Sequence, residues 1–234
     1  MSNAPPTASR LRPDRVHRLL LVRHATTSAS RRATFPATTG SAAIDDCAAL
    51  DEAGVAGATA LGAALPHADR CWTSHARRAV QTATHLGLTL DACLSDLAEG
   101  DFGRWAGATL DQVHARDPDG LATWLADPGT TPHGGEALVD VRRRARRVLD
   151  AAADADGTTI AISHGGLIKA ALLEVLDLPD AALWQLDCAP ASVTELHPGR
   201  QWRTTMVNWT PAPPAWAGAT PRDPAHGAGV GSTS

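Results

Sequence analysis

The sequence predicts an α/β fold with a largely parallel central sheet, and three observations predict it. Short, wholly apolar runs such as Leu19-Leu20-Leu21-Val22 suit strands covered on both faces, as parallel sheets require. Helical patterns alternate with those runs along the chain, the order expected of βα units. Residues 1–15 and 210–234 are rich in Pro, Gly, Ala, Ser and Thr and lack a hydrophobic period, so they read as flexible tails around one domain over residues 16–209.

The elements follow in order. Residues 19–22 form a buried first strand, and the short polar side chains from Thr26 to Ser30 suit a turn after it. A helix over 51–65 has Val55, Thr59, Gly62 and Ala63 at helical spacing and is closed by Pro66. A second strand covers 69–73, and a helix over 77–86 ends at Gly87. A loop-rich stretch over 94–107 leads into a helix over 109–116, and 128–135 is again loop. The longest helical pattern, 136–153, carries Leu138, Val141, Ala145, Val148, Leu149 and Ala152 on one face. Its arginines, Arg142, Arg143, Arg144, Arg146 and Arg147, are assigned to a solvated side with no chemical role. Residues 158–163 make the third buried strand, Gly165-Gly166 opens a helix to 176, and 192–196 and 202–207 close the domain as strands.

A chain of 234 residues, 44% apolar, buries an ordinary core. A net charge of −4 removes the electrostatic case for a nucleic-acid partner or a basic membrane patch. The first apolar run, 16–22, is too short to span a bilayer and residues 1–15 hold no signal-peptide core, so a cytoplasmic location is expected. Four widely spaced cysteines without a C-x-x-C pair fit a reducing interior. Cys71 and His75 have no ligand spacing around them and no H-E-x-x-H occurs, so neither metal nor cofactor is expected. The expected partner is a small molecule; the sequence does not set an oligomeric state.

Two histidines occupy equivalent places, His24 just past the first buried strand and His164 just past the third. Ligands of open α/β sheets bind at the carboxyl ends of strands, so both face one crevice. A single histidine after a strand is more commonly structural. Here Arg23 adjoins His24, and Arg77 and Arg78 open the helix after the second strand, which adds fixed positive charge suited to a phosphoryl group.

Five blocks carry a resemblance. They are Leu21-Val22-Arg23-His24-Ala25-Thr26-Thr27; Thr73-Ser74-His75-Ala76-Arg77-Arg78-Ala79-Val80-Gln81-Thr82-Ala83; Leu97-Ala98-Glu99-Gly100-Asp101-Phe102-Gly103-Arg104-Trp105-Ala106-Gly107; Gly134-Gly135-Glu136; and Ile162-Ser163-His164-Gly165-Gly166. In this order they resemble the histidine phosphatase superfamily, which also contains the phosphoglycerate mutases. The resemblance implies a three-layer α/β/α sandwich of the phosphoglycerate mutase type. It makes His24 the nucleophile, Arg23, Arg78 and His164 the phosphate clamp, and Glu99 the proton donor. Arg78 is chosen over Arg77 because it begins the R-A-x-Q-T-A pattern.

The implied chemistry is metal-independent hydrolysis of a small phosphorylated metabolite through phosphohistidine. Attack on phosphorus needs an unprotonated imidazole, which the neighbouring arginines favour at His24, whereas His164 acts best protonated. The Leu-x-Glu-x-x-Phe-Gly-x-Trp-x-Gly form is similar to the branch with the α-ribazole phosphatases, so α-ribazole 5′-phosphate or a similar monoester is the expected substrate. A phosphoglycerate mutase-type isomerase and a non-catalytic phospholigand-binding module are the competing readings. Four departures from the family pattern stand out: Ala25 replaces Gly, His75-Ala76 replaces Pro-Leu, Trp105-Ala106-Gly107 lacks an acidic residue after the tryptophan, and Ser30 replaces an asparagine that contacts phosphate. Ser30 is expected to keep that contact with less reach.

Overall fold

The computed structural model describes residues 16–36 and 49–211. The tail expected over 1–15, and that over 210–234 beyond residue 211, lie outside the described residues, as does 37–48. In chain order the elements are β1 (Arg18–Arg23), α1 (Ser28–Arg31), α2 (Glu52–Ala64), β2 (Arg70–Thr73), α3 (Arg77–His85), β3 (Ala92–Cys93), α4 (Leu110–Arg116), α5 (Pro118–Ala126), α6 (Leu138–Ala153), β4 (Thr158–Ser163), α7 (Gly165–Val175), β5 (Val193–His197) and β6 (Arg203–Trp209). No helix among the described residues is long and apolar enough to cross a membrane.

The strands make one sheet in the order β3-β2-β4-β1-β5-β6. The first four in that order run parallel, and β5 and β6 extend the sheet antiparallel beyond β1. Side chains of a strand alternate between faces. Leu19, Leu21 and Ala161 therefore pack with the apolar stripe of α6 and with α7, while Leu20, Val22, Ile160 and Ile162 pack on the other side with Ala58 and Leu61 of α2 and Ala79 and Ala83 of α3. Both faces of the central strands are covered, which is why their sequences are continuous apolar runs. The result is the expected three-layer α/β/α sandwich.

The buried face of α6 consists of the six apolar residues that its period predicts. The face of α2 differs from expectation: Gly54, Ala58 and Leu61 are buried, whereas Thr59 and Ala63 are exposed. Close approach decides it, because a Cβ on Gly54 would stand 2.1 Å from the Thr26 carbonyl oxygen. The expected turn at 26–30 is a capped helix start, in which Thr27 and Ser30 bond each other's side chains and backbone. Helix α5 was not anticipated, since Gly120 weakens its propensity. Its start is nonetheless marked by Asp117, which accepts from Gly120 N, and by Pro118 in the first turn. A satellite core of Phe35, Trp105, Val113 and Leu121, with Phe102 and Trp124 against it, anchors α4 and α5 over the loop at 94–107.

Candidate active site

Parallel pairing of β1 with β4 aligns Arg23 with Ser163, so the next residues, His24 and His164, leave the sheet side by side. Their ring centroids lie 5.1 Å apart and both are buried. Strand β2 flanks β4 on its other side, and the helix that follows it brings in Arg78. Three neighbouring strand ends thus supply His24, His164 and Arg78 to one place, as the crevice argument requires.

His24 Nδ1 lies 2.8 Å from the Ala25 carbonyl oxygen, which can only accept. The proton is therefore on Nδ1, and Nε2 carries the lone pair. Burial, then Arg78 and Arg23, hold the pKa of His24 well below the usual histidine value, against the opposing bond to Ala25.

Ser74 Oγ and Arg78 Nη2 bracket the His164 ring, at 2.8 Å from Nε2 and 3.1 Å from Nδ1. A guanidinium only donates, so Nδ1 accepts and Nε2 bears the proton. Burial first, then Arg78, His24 and Arg23, keep His164 well below its ordinary pKa. Without a bound anion His164 is thus neutral, where the sequence reading had it act as an imidazolium. Arg23 donates from Nη1 to the Cys188 carbonyl oxygen, and its buried Nε has no acceptor among the described residues. The guanidinium carbon lies 3.6 Å from where a Cβ on Gly165 would be.

Glu99 follows a 3-10 turn over Ser95–Leu97. Its Oε2 accepts from Gly166 N at 3.2 Å and its Oε1 from Gly100 N at 3.0 Å, so the first turn of α7 carries the carboxylate on its amide dipoles. A Cβ on Gly166 would lie 2.3 Å from Oε1. Beside Glu99 opens a cavity of about 60 Å³, walled by Phe102, Trp124, His133, Leu138 and Val141. Among the described residues no arginine or lysine lines it, and burial lowers the pKa of His133. Among the described residues no group of three or more His, Cys, Asp or Glu could hold a metal ion.

The structure therefore brings together Arg23, His24, Arg78 and His164, with Glu99 at the helix that follows His164. Arg77 is exposed, in keeping with the choice of Arg78. Ala25 has no positive φ, so its side chain is tolerated in place of glycine. Ser30 is placed differently from expectation. Its hydroxyl donates to the Thr27 carbonyl and accepts from Thr27 N, so its single proton is already engaged in the cap.

Sequence reasoning missed Ser74, which fixes the His164 tautomer, and Thr82, whose Oγ1 accepts from Ala25 N and donates to the Arg78 carbonyl. Both stand within the block around Arg78, and a tally of which buried amides need acceptors would have raised Thr82. The arginine run also divides. Arg143, Arg146 and Arg147 are at least 50% exposed as expected, but Arg144 is 13% and Arg142 20% exposed, both in ion pairs.

A three-layer sandwich with paired histidines and arginines at its strand ends defines a phosphoryl-binding α/β protein. The chain matches the histidine phosphatase superfamily (branch 1) over residues 19–210 and belongs to that family. It is 31% identical over 176 residues to an adenosylcobalamin/α-ribazole phosphatase of Salmonella typhimurium, covering 71% of this chain and 83% of that one. It is 36% identical over 145 residues to the bifunctional protein Rv2228c of Mycobacterium tuberculosis, covering 59% of this chain; that relative and others first matched are spanned over only 40% of their length. Among solved structures, the mycobacterial glucosyl-3-phosphoglycerate phosphatase Rv2419c in complex with VO3 superposes with a TM-score of 0.72 at 30% identity, over 83% of this chain and all of that one.

Proposed function

We propose that this protein is a metal-independent phosphomonoesterase that hydrolyses a small phosphorylated metabolite in the cytoplasm through a phosphohistidine on His24. The carrying observation is the buried Arg23 Nε without an acceptor, set in one cluster with Arg78, His24 and His164. A buried charged donor left unpaired costs free energy, and phosphoryl oxygens satisfy it and its neighbours together.

In the first step the His24 Nε2 lone pair attacks phosphorus, the P–O ester bond breaks, and the leaving alkoxide takes a proton from the Glu99 carboxylic acid. The imidazole becomes a positively charged phosphohistidine that the Ala25 carbonyl supports through Nδ1–H. Water then attacks phosphorus, Glu99 carboxylate takes its proton, the N–P bond returns its electrons to His24, and phosphate leaves. Arg23, Arg78 and His164 stabilise charge on the three phosphoryl oxygens throughout. Ser30 can join them only by giving up its bond to the Thr27 carbonyl.

The alcohol of the substrate would leave on the side of Glu99, where Phe102 and Trp124 offer ring faces and, among the described residues, no arginine or lysine lines the small cavity. That lining and the likeness to an α-ribazole phosphatase support α-ribazole 5′-phosphate or another ring-bearing monoester. The test is turnover of 4-nitrophenyl phosphate and of a panel of metabolite monoesters in EDTA, with trapping of phosphate-labelled enzyme by an alkaline detergent quench. Activity in chelator and a base-stable, acid-labile phosphoenzyme absent from His24→Ala are expected. Dependence on added metal, or full activity in His24→Ala, would overturn the proposal.

A further inference from the structure

We propose that Arg144, on helix α6, is the positioning residue that fixes the Glu99 carboxylate for proton transfer. The inference rests on the reading of Glu99 as the proton donor. Arg144 Nη1 donates to the carbonyls of Asp96 at 3.0 Å and Ala98 at 2.8 Å, and Nη2 reaches the carbonyl of Glu99 itself at 3.4 Å. Its remaining donors grip Glu136 in both carboxylate oxygens at 2.7 Å. All five N–H donors of the guanidinium are thereby used.

The carbonyl skipped in this series, that of Leu97, accepts from Ser163 Oγ at 2.7 Å. Four consecutive carbonyls leading into Glu99 are thus held by side chains, three of them by one arginine. On the other side of Glu99, Glu136 N donates to the Asp101 carbonyl at 2.8 Å. The Arg144–Glu136 pair therefore straddles Glu99, holding the chain before and after it while the carboxylate rests on Gly166 N. The pair is mostly buried, with side chains 13% and 21% exposed, so its geometry is not that of a surface ion pair free to rearrange. A fork-shaped cation is needed: a lysine ammonium has three donors at one point and cannot span three carbonyls and a carboxylate.

If Arg144 acts only through Glu99, its loss should be felt where protonation of the leaving group limits the rate. The measurement is kcat/KM, which covers steps up to alcohol release, for 4-nitrophenyl phosphate and for an alkyl phosphate, with wild type, Arg144→Lys, Glu99→Gln and the double variant. Arg144→Lys should lower alkyl phosphate kcat/KM by roughly a hundredfold and the aryl value by less than about threefold, within the range of general acid catalysis. In the Glu99→Gln background the same substitution should add almost nothing. Guanidinium chloride should partly restore alkyl phosphate turnover to Arg144→Ala, a recovery that a purely structural lesion would not show. Equal losses on the two esters, or losses that multiply with those of Glu99→Gln, would overturn the role of Arg144 while leaving the phosphatase intact. A wild-type protein that turns over neither ester would instead overturn the functional reading, and this inference with it.

Discussion

Arg78 Nη2 stands 3.1 Å from His164 Nδ1, and because a guanidinium has no lone pair to offer, the imidazole must accept. In the anion-free cluster the positive charge beside the two rings is therefore that of Arg23 and Arg78, with both histidines neutral. An incoming dianion is expected to reverse that arrangement. On the proposed function it should draw Arg78 onto its own oxygens, release His164 Nδ1, and favour the imidazolium that the empty site disfavours.

Anion binding should accordingly take up protons. Sulfate is a suitable probe, since its charge is constant across the range. Its affinity for the protein should rise as pH falls from 7 to 5, and calorimetry in buffers of different ionisation enthalpy should register proton uptake. His164→Asn should remove that residue's share, leaving what His24 contributes. An affinity indifferent to pH would contradict the linkage.

The same depressed pKa values bear on stability. In the unfolded chain His24 and His164 bind protons near pH 6.5, whereas the native state resists doing so far below that. The unfolded state therefore binds more protons, and stability, complete above pH 6.5, declines as pH falls through that value toward the native pKa values. Each histidine contributes a slope of at most about 1.4 kcal/mol per pH unit. Urea unfolding between pH 7 and 5 measures it, and the His24→Asn, His164→Asn double variant should lose most of the slope. A double variant with an unaltered slope would place the effect elsewhere.

Thr82 provides a test of how the site is held. Its buried hydroxyl ties Ala25 N, next to the proposed nucleophile His24, to the Arg78 carbonyl in α3. Thr82→Val keeps the volume but strands the Ala25 amide, at a cost of about 1–3 kcal/mol in unfolding free energy. Nucleophile and clamp would also shift against each other, so aryl and alkyl phosphates should lose kcat/KM to similar extents, roughly ten- to a hundredfold. A loss confined to alkyl phosphates would show that Thr82 serves the proton donor instead.

The parallel sheet and its covering helices were legible because burial on both faces leaves continuous apolar runs at Leu19 to Val22 and at Ile160 to Ile162, and one-sided burial leaves the stripe on α6. His24 and His164 were legible as a pair because each follows such a run. The buried face of α2 was not, since it is set by how closely Gly54 approaches the Thr26 carbonyl, a contact between residues 28 positions apart in sequence. Arg144 escaped for a related reason. Arginine in a run of arginines on an amphipathic helix carries no local mark of burial, and only the path of the loop before Glu99 supplies the carbonyls that receive it.

Gly166 offers the sharpest separation of stability from activity. It lies in the first turn of α7 without a positive φ, so alanine is compatible with its backbone, and reduced freedom of the unfolded chain would favour folding by about 0.4–1 kcal/mol. The added Cβ, however, would fall 2.3 Å from Glu99 Oε1. The carboxylate is the end of a flexible side chain and can move aside, which spares the fold but takes the proton from the leaving oxygen. Gly166→Ala should therefore keep or raise its urea midpoint while alkyl phosphate kcat/KM drops by roughly a hundredfold, with the aryl ester affected far less. Undiminished alkyl phosphate turnover in a folded Gly166→Ala protein would mean that Glu99 does not donate its proton from the place where Gly166 N holds it.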